Sequence, residues 1–162
     1  MGGSRGLRTA MVAVLALLLV AAVAAGTWGY TRLSSAEKEL GARADVVRVA
    51  EQFTVAVNNY DSASIDQYKS HVDDLLSTKF QAEFNQAMQD IVTQVQQAKM
   101  KSTGRVLAAG VSTIDQDSAK VLVVADADVK TVYDQRKRHF RWEVSLVKVD
   151  GKWLVDDFTP VS

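Results

Sequence analysis

No charged residue occurs between Thr9 and Thr31, and this run constrains the chain more than any other feature. It reads Ala10-Met11-Val12-Ala13-Val14-Leu15-Ala16-Leu17-Leu18-Leu19-Val20 and continues through Ala25-Gly26-Thr27-Trp28-Gly29-Tyr30. About 20 apolar residues at ~1.5 Å each match the ~30 Å hydrocarbon core of a bilayer. The expected layout is a basic tail at 1–8, a transmembrane helix at 9–30, a membrane-proximal helix at 31–60 and the rest of a soluble domain at 61–162. Arg5 and Arg8 precede the run, whereas Arg32, Lys38 and Arg43 are mixed with Glu37, Glu39 and Asp45 after it. The positive-inside rule then places the tail in the cytoplasm and the soluble domain on the far side of the membrane. Trp28 and Tyr30 fall where an interfacial aromatic belt is expected. A cleaved signal peptide is the competing reading, with Ala22-Val23-Ala24 as its cleavage motif. The run is longer than the ~7–15 residues of a signal-peptide core, which favours a retained anchor.

Small residues recur every four positions on this helix: Ala21, Ala25 and Gly29 on one line, Ala22 and Gly26 on another. Such stripes let two helix backbones approach closely in lipid. Alanine is also common in any apolar run, so the stripe is a candidate contact for a partner helix and nothing stronger.

Composition narrows the soluble part. All 19 acidic residues follow residue 30, as do the 19 basic residues less Arg5 and Arg8, which leaves a net charge of −2. A nucleic-acid binder would need a strongly basic face, so that class is not expected. With no cysteine, the chain has no disulfides, thiolate chemistry or cysteine metal ligands.

The first part of the domain has helical periodicity. Ser34 with Glu37 forms a capping-box pattern. Val46, Val49, Ala50, Phe53, Val57 and Tyr60 recur at three and four, which predicts a helix to about Asn59, with Gly41 as a weak point. Asn58 to Ser62 is rich in turn formers. Ile65, Tyr68, Val72 and Leu75 predict a short helix. Ser77 can cap a third, whose apolar face is Phe80, Phe84, Met88 (or Ala87), Ile91 and Val95. Core packing is the ordinary role for each of these. Exposed helix positions are mostly Gln, Lys, Glu and Asp, so no large apolar patch is expected outside the membrane.

After Lys101 valines crowd in at alternating positions. Strands are expected at Arg105–Ser112, Ala119–Lys130, around Phe140–Leu146 and at Lys152–Phe158. Asp115–Ser118 and Asp134–Lys137 read as turns, and Asp150-Gly151 as a tight hairpin. Trp142 and Trp153 lie at alternating apolar positions and are expected in the core. The fold class is α+β: helices packed on a curved four-stranded antiparallel sheet, cone-shaped and cystatin-like.

Three stretches carry a family resemblance. They are Ser102-Thr103-Gly104-Arg105-Val106, then Ala109-Gly110-Val111, then Asp115-Gln116-Asp117-Ser118-Ala119-Lys120-Val121-Leu122-Val123. With the ending Leu146 to Asp156, they are similar to the Mce-associated (Mam) membrane proteins of actinobacteria. The terminal hairpin followed by Trp153-Leu154-Val155-Asp156 is shared more widely with nuclear-transport-factor-like cone domains. The resemblance spans nearly the whole chain and is strongest over 100–158. It implies a non-catalytic accessory subunit of a mammalian-cell-entry (Mce) transporter, which moves lipids or sterols across the envelope with a permease, an ATPase and a periplasmic tunnel. The expected partners are the permease and tunnel proteins, with docking through Ala21, Ala22, Ala25, Gly26 and Gly29. The family has no catalytic motif to carry over, so no catalytic, cofactor or metal residue is expected. A short basic tail departs from relatives that carry long charged or Pro-rich ones.

Two other classes remain open. One is a membrane-tethered ligand-binding domain or enzyme that uses the cone cavity. The other is an assembly component of a secretion system, where similar single-pass cone domains occur. The polar candidates are Asp126, Asp128, Asp156, Asp157, His71, His139 and Tyr133. Asp126 and Asp128 share a strand face and would act as a base only if burial raised a carboxylate pKa; a solvated outer face is the ordinary alternative. Two histidines and scattered aspartates have no recognisable metal-ligand spacing. Arg136, Lys137 and Arg138 form a basic cluster expected at a hairpin tip, suited to an acidic partner, to anionic lipid or simply to solvent.

Overall fold

The computed structural model describes residues 39–161. The expected anchor, its stripe of small residues and the Ser34–Glu37 cap lie outside that range. Among the described residues, no helix is long and apolar enough to cross a membrane.

The described chain starts within a helix, α1, that runs to residue 58 and passes through Gly41 without a break. Val46, Ala50 and Phe53 are fully buried, on the stripe that the three-and-four spacing predicts, and Thr54 is buried beside them. A two-residue strand follows, β1 (Tyr60–Asp61), then α2 (Ile65–Asp73) and α3 (Thr78–Gln97). Four long strands complete the chain: β2 (Lys101–Ile114), β3 (Ser118–Lys130), β4 (Gln135–Val149) and β5 (Lys152–Pro160). The sheet is antiparallel throughout, in the order β1-β2-β3-β4-β5.

The expectation of four strands is therefore corrected to five. β1 lies in the turn-rich stretch after α1 and pairs Tyr60 with Ser102 and Asp61 with Lys101. Asp61 holds the pairing from both sides. Its Oδ1 accepts from Ala63 N at 3.0 Å, and its Oδ2 sits 3.0 Å from Lys101 Nζ. The Ala63 N–H, then the Lys101 ammonium, hold the Asp61 carboxyl below its ordinary range.

β3 alternates as its sequence requires. Val121, Val123, Ala125, Ala127 and Val129 are buried against the helices, and the intervening residues face outward. Val144 and Leu146 of β4 and Trp153 and Val155 of β5 join the same core, beneath Phe80, Phe84 and Met88 of α3. Register shifts interrupt β2 beside Leu107 and Ser112 and β5 beside Asp156, and such bulges bend a sheet. Asp150 and Gly151 take φ of +48° and +81°, the two left-handed positions of a two-residue hairpin.

Ser77 caps α3 as expected: its Oγ accepts from Phe80 N at 3.1 Å and donates to Asp156 Oδ1 at 2.6 Å. The bulge in β5 thus sets a carboxylate at the helix N-terminus, where exposed N–H groups favour negative charge. The linker just before α3 adds to the sheet edge, with Ser77 N donating to Val155 O and Val155 N to Leu75 O.

The junction of α1 with β2 is close. Asn59 donates from Nδ2 to Gly104 O at 3.0 Å and accepts at Oδ1 from Gly104 N at 3.1 Å. Its amide therefore pairs with β2 as a strand residue would. Asn58 lies directly over Gly104, where a Cβ would come within 2.4 Å of Asn58 Cβ.

Gly104→Ala is expected to destabilise the domain by about 1–3 kcal/mol through this overlap. Gly110→Ala, in the same strand with nothing within 4 Å of the new methyl, should be close to neutral. Denaturant midpoints of the two variants check the contrast. Ser77→Ala should lower stability by about 0.5–2 kcal/mol through loss of the cap, read in the same assay.

Candidate functional site

Between α3 and the sheet lies an open cavity of about 540 Å³, within the ~300–1,000 Å³ typical of small-ligand sites. α3 is held to its surroundings at both ends. Near its start, Phe80 packs edge-on to Phe158 at 6.0 Å between ring centres. At its end, Ala98 O accepts from Val132 N at 3.1 Å, and Val95 O accepts from Met100 N at 2.9 Å. Between these ends the inner face of β4 contributes Arg138, Phe140 and Trp142, three consecutive inward positions. Phe140 and Trp142 are 4.9 Å apart, and Trp142 meets Phe158 at 5.2 Å, so the rings make a continuous aromatic floor. Ala87, Met88 and Ile91 of α3 face it, and Val57, Ile65 and Tyr68 close the far side.

Few polar groups enter this space. Asn58 and Ser102 are buried, at 5% and 4% exposure, and both line it. The Asn58 Nδ2 donates to Thr54 O at 2.9 Å. Tyr68 donates to Val57 O at 3.3 Å. Burial, with a smaller contribution from Tyr60, raises the Tyr68 phenol above its ordinary 10.0. Arg138, Glu83 and Gln94 stand at the rim.

The cavity corrects two expectations. No large apolar patch is expected outside the membrane, yet the third-helix stripe and the β4 aromatics leave an apolar-lined space between them. Ile91, counted on the core face, is 47% exposed at the cavity mouth, and Trp142 is only half buried, whereas Trp153 is in the core. The basic cluster is also relocated. The turn at 131–134 is closed by Thr131 N donating to Asp134 O, so β4 begins at Gln135. Arg136, Lys137 and Arg138 are strand residues paired with Val129, Asp128 and Ala127, and alternation divides them between the two faces.

Other polar candidates are dispersed. Asp126 and Asp128 face outward, opposite His139 and Lys137, with His139 Nδ1 2.6 Å from Asp126 Oδ1. Asp156 serves the α3 cap, and Asp157 is opposite Ser145 at the sheet edge. His71 donates from Nδ1 to Gln67 O at 2.8 Å on α2. Tyr133 is exposed in the β3–β4 turn. Among the described residues, no three of His, Cys, Asp or Glu are grouped to hold a metal ion. The candidate helix contacts Ala21, Ala22, Ala25, Gly26 and Gly29 lie outside the described residues.

Helices on one face of a curled antiparallel sheet define an α+β class that recurs in solved structures. An IcmL-like type IV secretion system protein from Legionella pneumophila superposes with a TM-score of 0.63 at 15% identity, covering 74% of this chain and 94% of its own. The periplasmic domain of DotI gives 0.62 at 11% identity, covering 72% and 92%. At such identities the likeness is one of fold. The family model described as "Uncharacterized protein Rv1363c/MT1408-like" matches residues 8–158, and the chain belongs to that family. The Mycobacterium tuberculosis protein Rv1362c is 31% identical over 160 residues, which cover 96% of this chain and 72% of that protein.

Because the folded state raises the Tyr68 pKa, its stabilising effect is fully present below pH ~10 and is lost as pH rises toward the folded value. Tyr68→Phe should therefore flatten the alkaline fall in stability. Melting temperatures of the wild type and variant from neutral to strongly alkaline pH test this.

Proposed function

We propose that this chain is a membrane-anchored, non-catalytic accessory subunit of an envelope lipid transporter of the Mce type. The observation that carries the reading is the joining of a membrane-length, charge-free run (Thr9–Thr31) to an α+β domain of this family. The resemblance of residues 100–158 to Mce-associated proteins supplies the transporter class. In this reading the domain lies in the periplasm, and the chain docks on the permease through the helix face of Ala21, Ala25 and Gly29, with Ala22 and Gly26 beside it. Small side chains there let two backbones approach, and dispersion between them supplies the attraction. The catalytic role is omitted because Asp126 and Asp128 lie on the outer sheet face, away from the cavity, opposite basic residues.

A second reading, a secretion-system assembly subunit, is favoured by the fold likeness to the IcmL-like protein and to DotI. Affinity purification of the full chain in mild detergent, followed by mass spectrometry, separates the two. Recovery of a permease and tunnel proteins supports the transporter reading, and recovery of secretion components instead overturns it.

Ala25→Leu and Gly29→Leu should each weaken co-purification with the permease while leaving the domain folded. If both variants co-purify as wild type does and deletion of residues 61–162 abolishes the complex, docking is outside the membrane.

A further inference from the structure

The cavity has a direction. Its aromatic floor runs from Phe140 through Trp142 to Phe158, with a cation at one end and an anion at the other. Arg138 is the next inward position of β4 before Phe140, so it stands at the end where α3 finishes. Glu83 lies one turn from Phe80, whose ring meets Phe158, so it stands at the opposite end. Eleven residues of helix separate Glu83 from Gln94, or ~16 Å at ~1.5 Å per residue. Among the described residues, Glu83 and Arg138 make no ion pair with one another.

Arg138 differs from Arg136, Lys120 and Lys101, as do its strand neighbours Lys137 and Arg141. Arg136 pairs with Asp134, Lys120 with Glu143 and Lys101 with Asp61. Among the described residues, none makes a hydrogen bond or ion pair with the Arg138 side chain. An unpaired guanidinium beside an apolar space offers several N–H donors in a planar fork, which suits a carboxylate or phosphate. Ser102, buried near the same end, adds a hydroxyl that can donate to a remaining head-group oxygen.

We propose that this cavity binds a single-chain amphiphile, with its anionic carboxylate or phosphate head on Arg138 and its apolar body along Phe140, Trp142 and Phe158 beneath α3. Glu83 at the far end disfavours the reversed orientation by repelling the anion. The inference rests on the cavity alone and holds whether the chain serves a transporter or a secretion assembly.

The test uses the full chain in phosphatidylcholine nanodiscs and three photoactivatable diazirine probes of equal chain length: hexadecanoic acid, hexadecyl phosphate and hexadecanol. Cross-linked peptides are mapped by mass spectrometry. One or both anionic probes should label the peptides that carry Met88, Ile91 or Trp142, and the acid and phosphate arms tell which head is preferred. The alcohol should label them at least about tenfold less, the difference expected for one lost charge-assisted hydrogen-bond pair. Arg138→Gln, at an exposed position, should reduce anionic labelling to the level of the alcohol. Ile91→Glu, at the exposed mouth, should do so by introducing an anion of its own. Equal labelling by all three probes, unchanged labelling of Arg138→Gln, or no adduct in the domain would overturn the proposal.

Discussion

The fold turns on the place where α1 meets β2. The helix brings Phe53 and Ala50 into the core and then has to hand the chain to the edge of the sheet. Asn59 makes this transition by giving Gly104 the two hydrogen bonds that a neighbouring strand would give. Asn58 fits above Gly104 only because that residue lacks a Cβ. With α1 fixed there, the chain enters β1, α2 follows from the sheet edge, and α3 crosses the concave face from Ser77 to Ala98. A buried backbone left without these partners would lose several hydrogen bonds at once, each worth ~0.5–1.5 kcal/mol net.

Regular repetition was readable in the sequence, and so were single residues with one dominant local role. The two-residue alternation of Val121 to Val129 fixed which face of β3 is inside, because a strand has no other way to bury that set. Ser77 and Asp150-Gly151 act within a few residues of themselves and behave as their chemistry dictates. β1 was missed because two residues, Tyr60 and Asp61, are too short to show a period and stand among turn formers. The Arg136–Arg138 cluster was misplaced for a related reason: Thr131 supplies a tighter turn than the charged run suggested, and the strand starts earlier. A cone cavity was an expectation of the fold class, but its lining could not be read from the pattern. Phe84, Met88, Ile91, Phe140 and Trp142 have the pattern of core residues, and the pattern is silent on whether helix and sheet close against one another. That depends on where the two ends of α3 are held.

The two sheet faces divide the polar residues. On the outer face, His139 and Lys137 stand opposite Asp126 and Asp128, while Lys120 pairs with Glu143, so charges there are met across strands. Leu107, Leu122 and Val124 remain exposed between them. On the inner face, Arg138 borders an apolar space and has no ion partner among the described residues. A domain built this way combines a solvated back with a receptive front. Nothing in that arrangement requires chemistry from the side chains, and a binding role for the domain is compatible with an anchored accessory subunit.

The central structural claim is that the space under α3 is open in the folded protein and not collapsed. The chain has no cysteine, so one introduced thiol can report on it without background. Ser102→Cys places a thiol of nearly the same size at a buried position that lines the cavity, and Val121→Cys places one in the core away from it. The rate of reaction with a small thiol reagent, measured on the folded full chain, is the deciding quantity. An open cavity predicts that Ser102→Cys reacts orders of magnitude faster than Val121→Cys, whose reaction has to wait for unfolding. Equal, slow reaction at both positions would contradict it.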